Sequence, residues 1–394
     1  MNGIKQAVIL AGGKGERLKP ITDKIPKPMV LINGRPFLEY LVEDLKGKGI
    51  EEIILLLGYL PDAVTNYFGD GEKFGIKIKY SISPVGDETG TRIKKAEEYL
   101  CDKFLLLYCD NYCPISLEKL NEFYAEKNKL ATLTAYSNKY GYTKNNILII
   151  DGIVEKYDRN RENEKLNGVD IGFFILSKKI LDLIPDKNFS FEEIILPKLI
   201  QMNELSGYIT DIPYVSIGKI ERIKDAELYF SERKVIFLDR DGTINVRPPK
   251  AEYVKNWDEF KFLPGAIDGM KLLAEKNFEI YIITNQAGVA RGFMKKNDLD
   301  DIHAKFHEEL QNNGVKISGI YSCMHDWNEG CDCRKPKAGL FFKAALENKI
   351  NLCKAFFIGD DERDLVAGKE AEIESYLISE NSNLLNTVRE KILA

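Results

Sequence analysis

Short apolar runs alternate with amphipathic stretches along the chain, and the alternation starts twice. Residues 6–10, 52–58 and 103–109 are near-continuous apolar runs, as expected of strands buried on both faces. Residues 36–46, 91–100 and 116–127 carry apolar positions at helical spacing. Buried strands separated by helices predict a parallel sheet covered on both sides. The stretches 131–137, 146–157 and 169–176 are richer in β-formers and predict a mixed-sheet region. Over 219–234 the chain becomes highly charged and helical. A second alternation follows, with strands expected at 235–239, 279–284, 318–322 and 354–358 and helices at 264–276, 296–313, 337–348 and 361–370. The boundary is placed near residue 230. The domains are then 1–230 and 231–394, each long enough for its own core.

Composition narrows the function classes. Of 394 residues, 44% are hydrophobic and 30% charged, enough to build cores without disulfide staples. A net charge of −5 argues against a nucleic-acid binder that relies on overall basicity. No apolar run approaches the ~18–20 residues of a membrane span, and the first residues lack the basic start and long apolar stretch of a signal peptide. The expectation is a cytoplasmic protein with small-molecule substrates and neither a nucleic-acid nor a membrane partner. Seven cysteines are present. In a reducing compartment the one tight cluster reads as a metal site, not a disulfide framework. Cys101, Cys109, Cys113 and Cys353 lie in or beside apolar strands and read as packing residues.

The first apolar run ends in Leu10-Ala11-Gly12-Gly13-Lys14-Gly15-Glu16-Arg17. Glycines at a strand end let backbone N–H groups approach a phosphate, and Lys14 and Arg17 add positive charge there. The spacing is neither that of the Walker loop nor that of the Rossmann fingerprint. With Pro20, Thr22 and Pro26-Lys27-Pro28-Met29, the string resembles the sugar-phosphate nucleotidyltransferase (nucleoside-diphosphate-sugar pyrophosphorylase) family over about residues 5–225. The resemblance implies a Rossmann-like domain whose loop, Leu10 to Gly15 with Arg17 and Thr89, binds a nucleoside triphosphate. It also implies that Arg17 neutralises phosphate charge, that Lys27 sits near the transferred phosphate, and that Asp110 holds Mg²⁺. A sugar phosphate would attack the α-phosphate and pyrophosphate would leave, so positioning and charge neutralisation carry the catalysis.

Three segments depart from the family pattern. Ser216 stands where a second metal-binding Asp is usual. Tyr157-Asp158-Arg159-Asn160 replaces the usual Glu-Lys pair. Thr89-Gly90-Thr91-Arg92-Ile93-Lys94 looks closer to cytidylyltransferases, which leaves the base open between guanine and cytosine.

The second half opens with Val235-Ile236-Phe237-Leu238-Asp239-Arg240-Asp241-Gly242-Thr243-Ile244. It places two carboxylates at a strand end, where they could share a cation. The string resembles the haloacid dehalogenase-like (HAD) phosphohydrolase family, as do Thr284-Asn285, Lys335 and Gly359-Asp360-Asp361-Glu362-Arg363-Asp364. The resemblance implies an α/β Rossmannoid domain in which Asp239 is the nucleophile and Asp241 donates and then accepts a proton. Thr284 and Lys335 would bind the phosphoryl group, and Mg²⁺ would be held by Asp239, Asp360 and the Asp241 carbonyl.

Cys323, His325, Cys331 and Cys333 form C-x-H-x5-C-x-C, four ligands suited to a closed structural Zn²⁺ site. With Arg334-Lys335-Pro336, Asn285-Gln286-Ala287-Gly288 and Arg291-Gly292, the cluster resembles the heptose 1,7-bisphosphate phosphatase subgroup over about residues 234–380. That implies substrate contacts for Asn285, Arg291 and Arg334. His303 and His307, four apart on a helix with Ala-Lys-Phe between them and so no H-E-x-x-H glutamate, read as a solvated face. Tyr253, Trp257 and Arg247–Lys250 fall in the insertion after the first HAD string and could contact substrate or close over it.

The expectation is a bifunctional enzyme of activated-sugar, capsule or cell-surface glycan biosynthesis using Mg²⁺ in both sites and Zn²⁺ in the second. The phosphatase would act on a heptose 1,7-bisphosphate, and the transferase would use GTP or CTP. The alternatives are a cytidylyltransferase for another sugar or polyol phosphate, and a phosphatase carrying a non-catalytic nucleotide-binding module.

Overall fold

A computed structural model describes residues 3–394. The chain forms two α/β units, one ending at Phe230 and the other beginning at Ser231.

The N-terminal unit is built on a nine-stranded mixed sheet. Strands Lys77–Ile82, Glu52–Leu57, Gln6–Ala11 and Lys103–Tyr108 run parallel in that spatial order. Val169–Ser177 then joins Lys103–Tyr108 antiparallel, and Ala131–Tyr136, Leu205–Thr210 and the hairpin Ile147–Ile150/Ile153–Tyr157 complete the sheet. Alternation along Gln6–Ala11 serves both faces. Ala7 and Ile9 pack into one core with Phe37, Leu38 and Leu41, while Val8 and Leu10 pack into the other with Ile93, Ile195 and Leu199. Sequence pattern alone does not mark Lys77–Ile82. It has lysines at alternate positions and forms the sheet's edge, so no apolar run is needed there.

The C-terminal unit is a five-stranded parallel sheet, ordered Ile317–Cys323, Phe278–Asn285, Lys234–Leu238, Ala355–Gly359, Glu374–Leu377. Helices Ala266–Glu275, Lys296–Asn312, Gly339–Asn348 and Glu362–Glu370 connect the strands. Parallel order places the carboxyl ends of all strands on one edge. Asp239, Thr284, Cys323 and Asp360 therefore emerge there together. Among the described residues, no helix is long and apolar enough to cross a membrane.

Candidate active sites

In the N-terminal unit the glycine loop rests on one buried cation. Arg92 donates to the carbonyls of Leu57 (2.7 Å), Pro84 (2.9 Å), Val85 (3.2 Å) and Gly12 (3.4 Å) and to Ser83 Oγ (2.8 Å). Gly12 is required by this contact, since a Cβ there would lie 2.4 Å from Arg92 Cζ. Leu10, Gly12, Gly13, Lys14, Gly15 and Arg17 line a cavity of about 1010 Å³ with Lys27 and Asp110. Ala11 is instead buried in the core.

A second cavity of about 720 Å³ shares Arg17, Thr89, Asp110 and Glu192 with the first and continues to Asp170, Arg161 and Arg222. Asp110 follows strand Lys103–Tyr108, and its carboxylate accepts a hydrogen bond from Lys27 Nζ. A two-residue strand pair sets Ser216 opposite Asn111, and the Ile217 N–H donates to the Asp110 carbonyl at 2.9 Å. The hydroxyl of Ser216 accepts from the Gly218 N–H at 3.2 Å. Asp110 is thus one carboxylate at this junction, beside Glu88 and Glu192, and its place next to Lys27 would fit Mg²⁺ bound mainly through substrate phosphates.

Thr89 Oγ1 donates to Glu192 at 2.7 Å and accepts from the Phe191 N–H at 2.9 Å. Glu192 also accepts from Tyr108 and Ser190, so it ties three segments together. Burial pushes the nearby Asp170 carboxyl up to about 6, against the pull of the Gly172 N–H and the Tyr157 hydroxyl.

In the C-terminal unit Lys335 is buried between two carboxylates, with Nζ 2.5 Å from Asp239 Oδ1 and 2.7 Å from Asp364 Oδ1. Asp364 also accepts the backbone N–H groups of Asp360 and Asp361, each at 3.1 Å. Oxygens of Asp239, Asp360 and Asp364 lie within 4.8 Å of one another. Burial raises the Asp239 carboxyl to about 7 despite Lys335. Asp360 Oδ1 is buried with no hydrogen-bond partner. Converging carboxylates with an orphaned oxygen fit a hard divalent cation, which would supply the missing positive charge. Gly242, at φ +102°, makes room for the cluster, since a Cβ there would meet Asp360 Oδ2 at 1.9 Å.

Asp241 is held by three neighbours. Arg240 forks onto both oxygens (2.9 and 3.0 Å), Asn245 donates to Oδ1 (2.9 Å) and Gln286 to Oδ2 (2.7 Å). Burial alone would raise this carboxyl, but Arg240 and the two amides hold it below the usual carboxylate range. Gln286 also donates to Thr284 Oγ1 at 2.8 Å.

Asn285 grips the loop that delivers Lys335. Its amide donates to the Lys335 carbonyl and its oxygen accepts the Lys335 N–H, both at 3.1 Å. Cys323, His325, Cys331 and Cys333 sit just before that loop. The Cys323–Cys331 sulfurs are 3.7 Å apart and His325 Nδ1 is 3.1 Å from Cys333 Sγ. A tetrahedron with bonds of ~2.3 Å to sulfur has sulfur–sulfur edges of about 3.8 Å, so the four residues fit Zn²⁺. Asp239, Asp241, Thr284, Arg334 and Lys335 line a cavity of about 840 Å³.

The comparisons follow this division. A family model described as nucleotidyl transferase matches residues 6–231. The chain belongs to the nucleotidyl transferase family. A second family model, described as polynucleotide kinase 3 phosphatase, matches residues 234–375, so the transferase unit precedes a HAD-like phosphatase unit. The D-glycero-beta-D-manno-heptose-1,7-bisphosphate 7-phosphatase of Pasteurella multocida is 35% identical over 152 residues, covering 37% of this chain and 81% of its own length. A protein of Bacillus subtilis named probable glucose-1-phosphate cytidylyltransferase is 32% identical over 228 residues, covering 52% of this chain and 87% of its own. The crystal structure of HddC from Yersinia pseudotuberculosis has 30% identity and a TM-score of 0.51, covering 58% of this chain and all of that one. The same protein has also been solved with GMP-PN.

In this nucleotidyl transferase with its fused phosphatase, several residues sit otherwise than expected. His303 does not lie on a solvated face. Its Nε2 is 3.3 Å from Nη1 of the fully buried Arg240, and burial followed by the Arg240 charge pushes its imidazole down to about 4. Cys101 and Cys353 are exposed, unlike buried Cys109 and Cys113. Arg291 donates to the Tyr253 hydroxyl at 3.1 Å and lies 4.3 Å over the Trp327 ring, beside the cavity that Tyr253 and Trp327 line. Trp257 stacks on Phe260, whereas Arg247–Lys250 line the cavity. Sequence reasoning missed Arg240, Gln286, Glu192 and Asp170. Arg240 and Gln286 carried a signal, since both fall inside strings already singled out.

Proposed function

We propose that the phosphatase unit removes the 7-phosphate of a heptose 1,7-bisphosphate and that the transferase unit then joins the resulting heptose 1-phosphate to GMP from GTP, releasing pyrophosphate. One observation carries this reading: matches to two families whose reactions would be consecutive occur on one chain. The heptose assignment draws on the Pasteurella relative, and guanine on HddC with GMP-PN. Cytosine is the second reading, supported by the Bacillus relative and the Thr89–Lys94 string.

In the phosphatase site, Asp239 attacks the 7-phosphorus and becomes an aspartyl phosphate. Lys335 offsets negative charge on both nucleophile and phosphoryl oxygens, and Thr284 donates to the latter. To give a proton to the departing sugar oxygen, Asp241 must first take one up from solvent against the Arg240 fork; left ionised after that step, it takes a proton from the water that attacks the phosphorus and breaks the aspartyl-phosphate bond. The Arg240 fork favours the ionised form, which is the one the water step uses. Asp239 and Asp360, with the Asp241 carbonyl, would hold Mg²⁺, which supplies charge neutralisation for the transferring phosphoryl group.

In the transferase site the glycine loop, Lys14 and Arg17 hold the triphosphate, and Lys27 faces the α-phosphate. The two adjoining cavities would hold nucleotide and sugar phosphate so that they meet at Asp110, which would hold Mg²⁺ with the phosphates. An oxygen of the sugar phosphate attacks the α-phosphorus and the bond to pyrophosphate breaks.

Mass spectrometry after incubation with Mg²⁺, the four nucleoside triphosphates and heptose 1,7-bisphosphate tests the whole sequence. The expected product is GDP-heptose. CDP-heptose would replace the base assignment, heptose monophosphate alone would refute transfer, and no turnover would refute the heptose assignment.

The tetrad before Lys335 is assigned to structural Zn²⁺. Cys331→Ser should lower the zinc content from about one per chain toward none, by elemental mass spectrometry. Phosphatase activity should fall at least about ten-fold through the loop that carries Lys335, while nucleotidyl transfer should stay unchanged. Zinc-free wild-type protein purified under reducing conditions would remove the assignment.

A further inference from the structure

The carboxylate cluster of the phosphatase unit already has a cation resting on it. Arg247 lies in the loop after the Asp239–Thr243 string, with its side chain 44% exposed. Its Nη1 is 3.3 Å from Asp360 Oδ2, and its Nη2 donates to Asp361 Oδ2 at 2.8 Å. The other Asp360 oxygen, Oδ1, is the buried orphan. One carboxylate of the cation cluster is therefore bound outside by a guanidinium and inside by nothing. The same loop, from Arg247 to Tyr253, walls the cavity in which Asp239 lies, and it brings Lys250 to that wall.

We propose that Arg247 competes with the divalent cation for Asp360, and that a bound cation releases Arg247 to meet a second anionic group of the substrate in the same cavity. The physical case is charge balance. A divalent ion held by Asp239 and Asp360 supplies the positive charge that Arg247 otherwise supplies from one side. At a few ångströms it also repels the guanidinium. Surface loops absorb such a shift at low cost, and the Arg247 side chain is 44% exposed. A guanidinium freed on the cavity wall suits a phosphate, which it can meet with two parallel donors. Occupancy of the cation site would thus prepare the substrate pocket. The competition step needs only the cation site, whereas the second step rests on the bisphosphate reading above.

Mn²⁺ is the probe, with the free ion measured by electron paramagnetic resonance. The full chain is used, with Asp110→Ala to silence the transferase site. Arg247→Met should bind Mn²⁺ about five-fold more tightly at the phosphatase site. Arg247→Lys, which keeps the charge but not the fork, should fall between it and the unsubstituted protein. Arg363→Met is the control, because Arg363 binds Asp361 instead (Nε to Oδ1, 2.8 Å). It should change the affinity by less than about two-fold. Equal tightening by Arg247→Met and Arg363→Met would reduce the effect to general charge and overturn the competition, as would no tightening in either. Absence of Mn²⁺ binding in every variant would overturn the cation site itself, a separate failure.

For the second step, Arg247→Met in the otherwise unsubstituted chain should raise KM for heptose 1,7-bisphosphate about ten-fold. KM for a hexose monophosphate should stay within about two-fold. Equal KM changes for the two substrates, or no change for either, would overturn that step.

Discussion

Asp239→Asn should stop phosphate release and leave nucleotidyl transfer intact. The amide is nearly isosteric but is no nucleophile, so phosphatase turnover should fall at least about 10⁴-fold, the scale on which removal of an attacking group is felt. Asp239 is buried against Lys335, with 2.5 Å between Oδ1 and Nζ. The substitution removes one negative charge there, while Asp364 still pairs with Lys335 at 2.7 Å. The unit should therefore stay folded, with unchanged zinc content as the check. Continuous assay of inorganic phosphate gives the loss, and pyrophosphate release from GTP and heptose 1-phosphate gives the retained activity. Phosphate release at the wild-type rate would mean that another group attacks.

The mirror-image result is expected of Asp110→Ala. Nucleotidyl transfer should fall by about 10³-fold or more, as when a group aimed at developing charge is lost. The substitution removes a carboxylate shared by the two cavities and leaves Lys27 without that partner. The main-chain link from Ile217 to the Asp110 carbonyl survives any side-chain change, so the strand pair that carries Ser216 should persist. Phosphate release from the bisphosphate should be unaffected. Transfer at the wild-type rate would exclude Asp110 from the reaction. Loss in Asp110→Ala also separates catalysis from a regulatory nucleotide module, because a binding module has no transfer rate to lose.

What could be read from the chain beforehand follows a physical division. Groups that meet a ligand sit at strand ends next to glycines and come in short strings, so Gly12–Arg17, Asp110, Asp239–Gly242 and Asp360–Asp364 stand out. Groups that support them are single residues whose own contacts often lie far away in sequence, even for Arg240 inside the string. Arg240 reaches His303 across 63 positions, and nothing in the polar run around His303 shows that this one side chain turns inward. The i,i+4 pair with His307 looks solvated because Lys305, Glu308 and Glu309 surround it. Its burial depends on where helix Lys296–Asn312 packs, through Phe306 against Phe260. The same holds for Glu192, whose partners Thr89 and Tyr108 lie 103 and 84 positions away. The central parallel strands were legible from continuous apolar runs. The strands Lys77–Ile82, Leu205–Thr210 and Glu374–Leu377 were not, because polar residues interrupt each of them.

Arg92 bears on how such proteins should be recognised. The loop that would wrap the nucleotide keeps its shape through a guanidinium beneath it, which holds four carbonyls at once. A chain could carry every glycine of the string and still lack this floor. Screens of uncharacterised genes that score the glycine string alone would then count collapsed loops as working ones. For chains that share the Thr89–Lys94 string, requiring a buried arginine about 80 residues downstream of the first loop glycine would be the more discriminating filter.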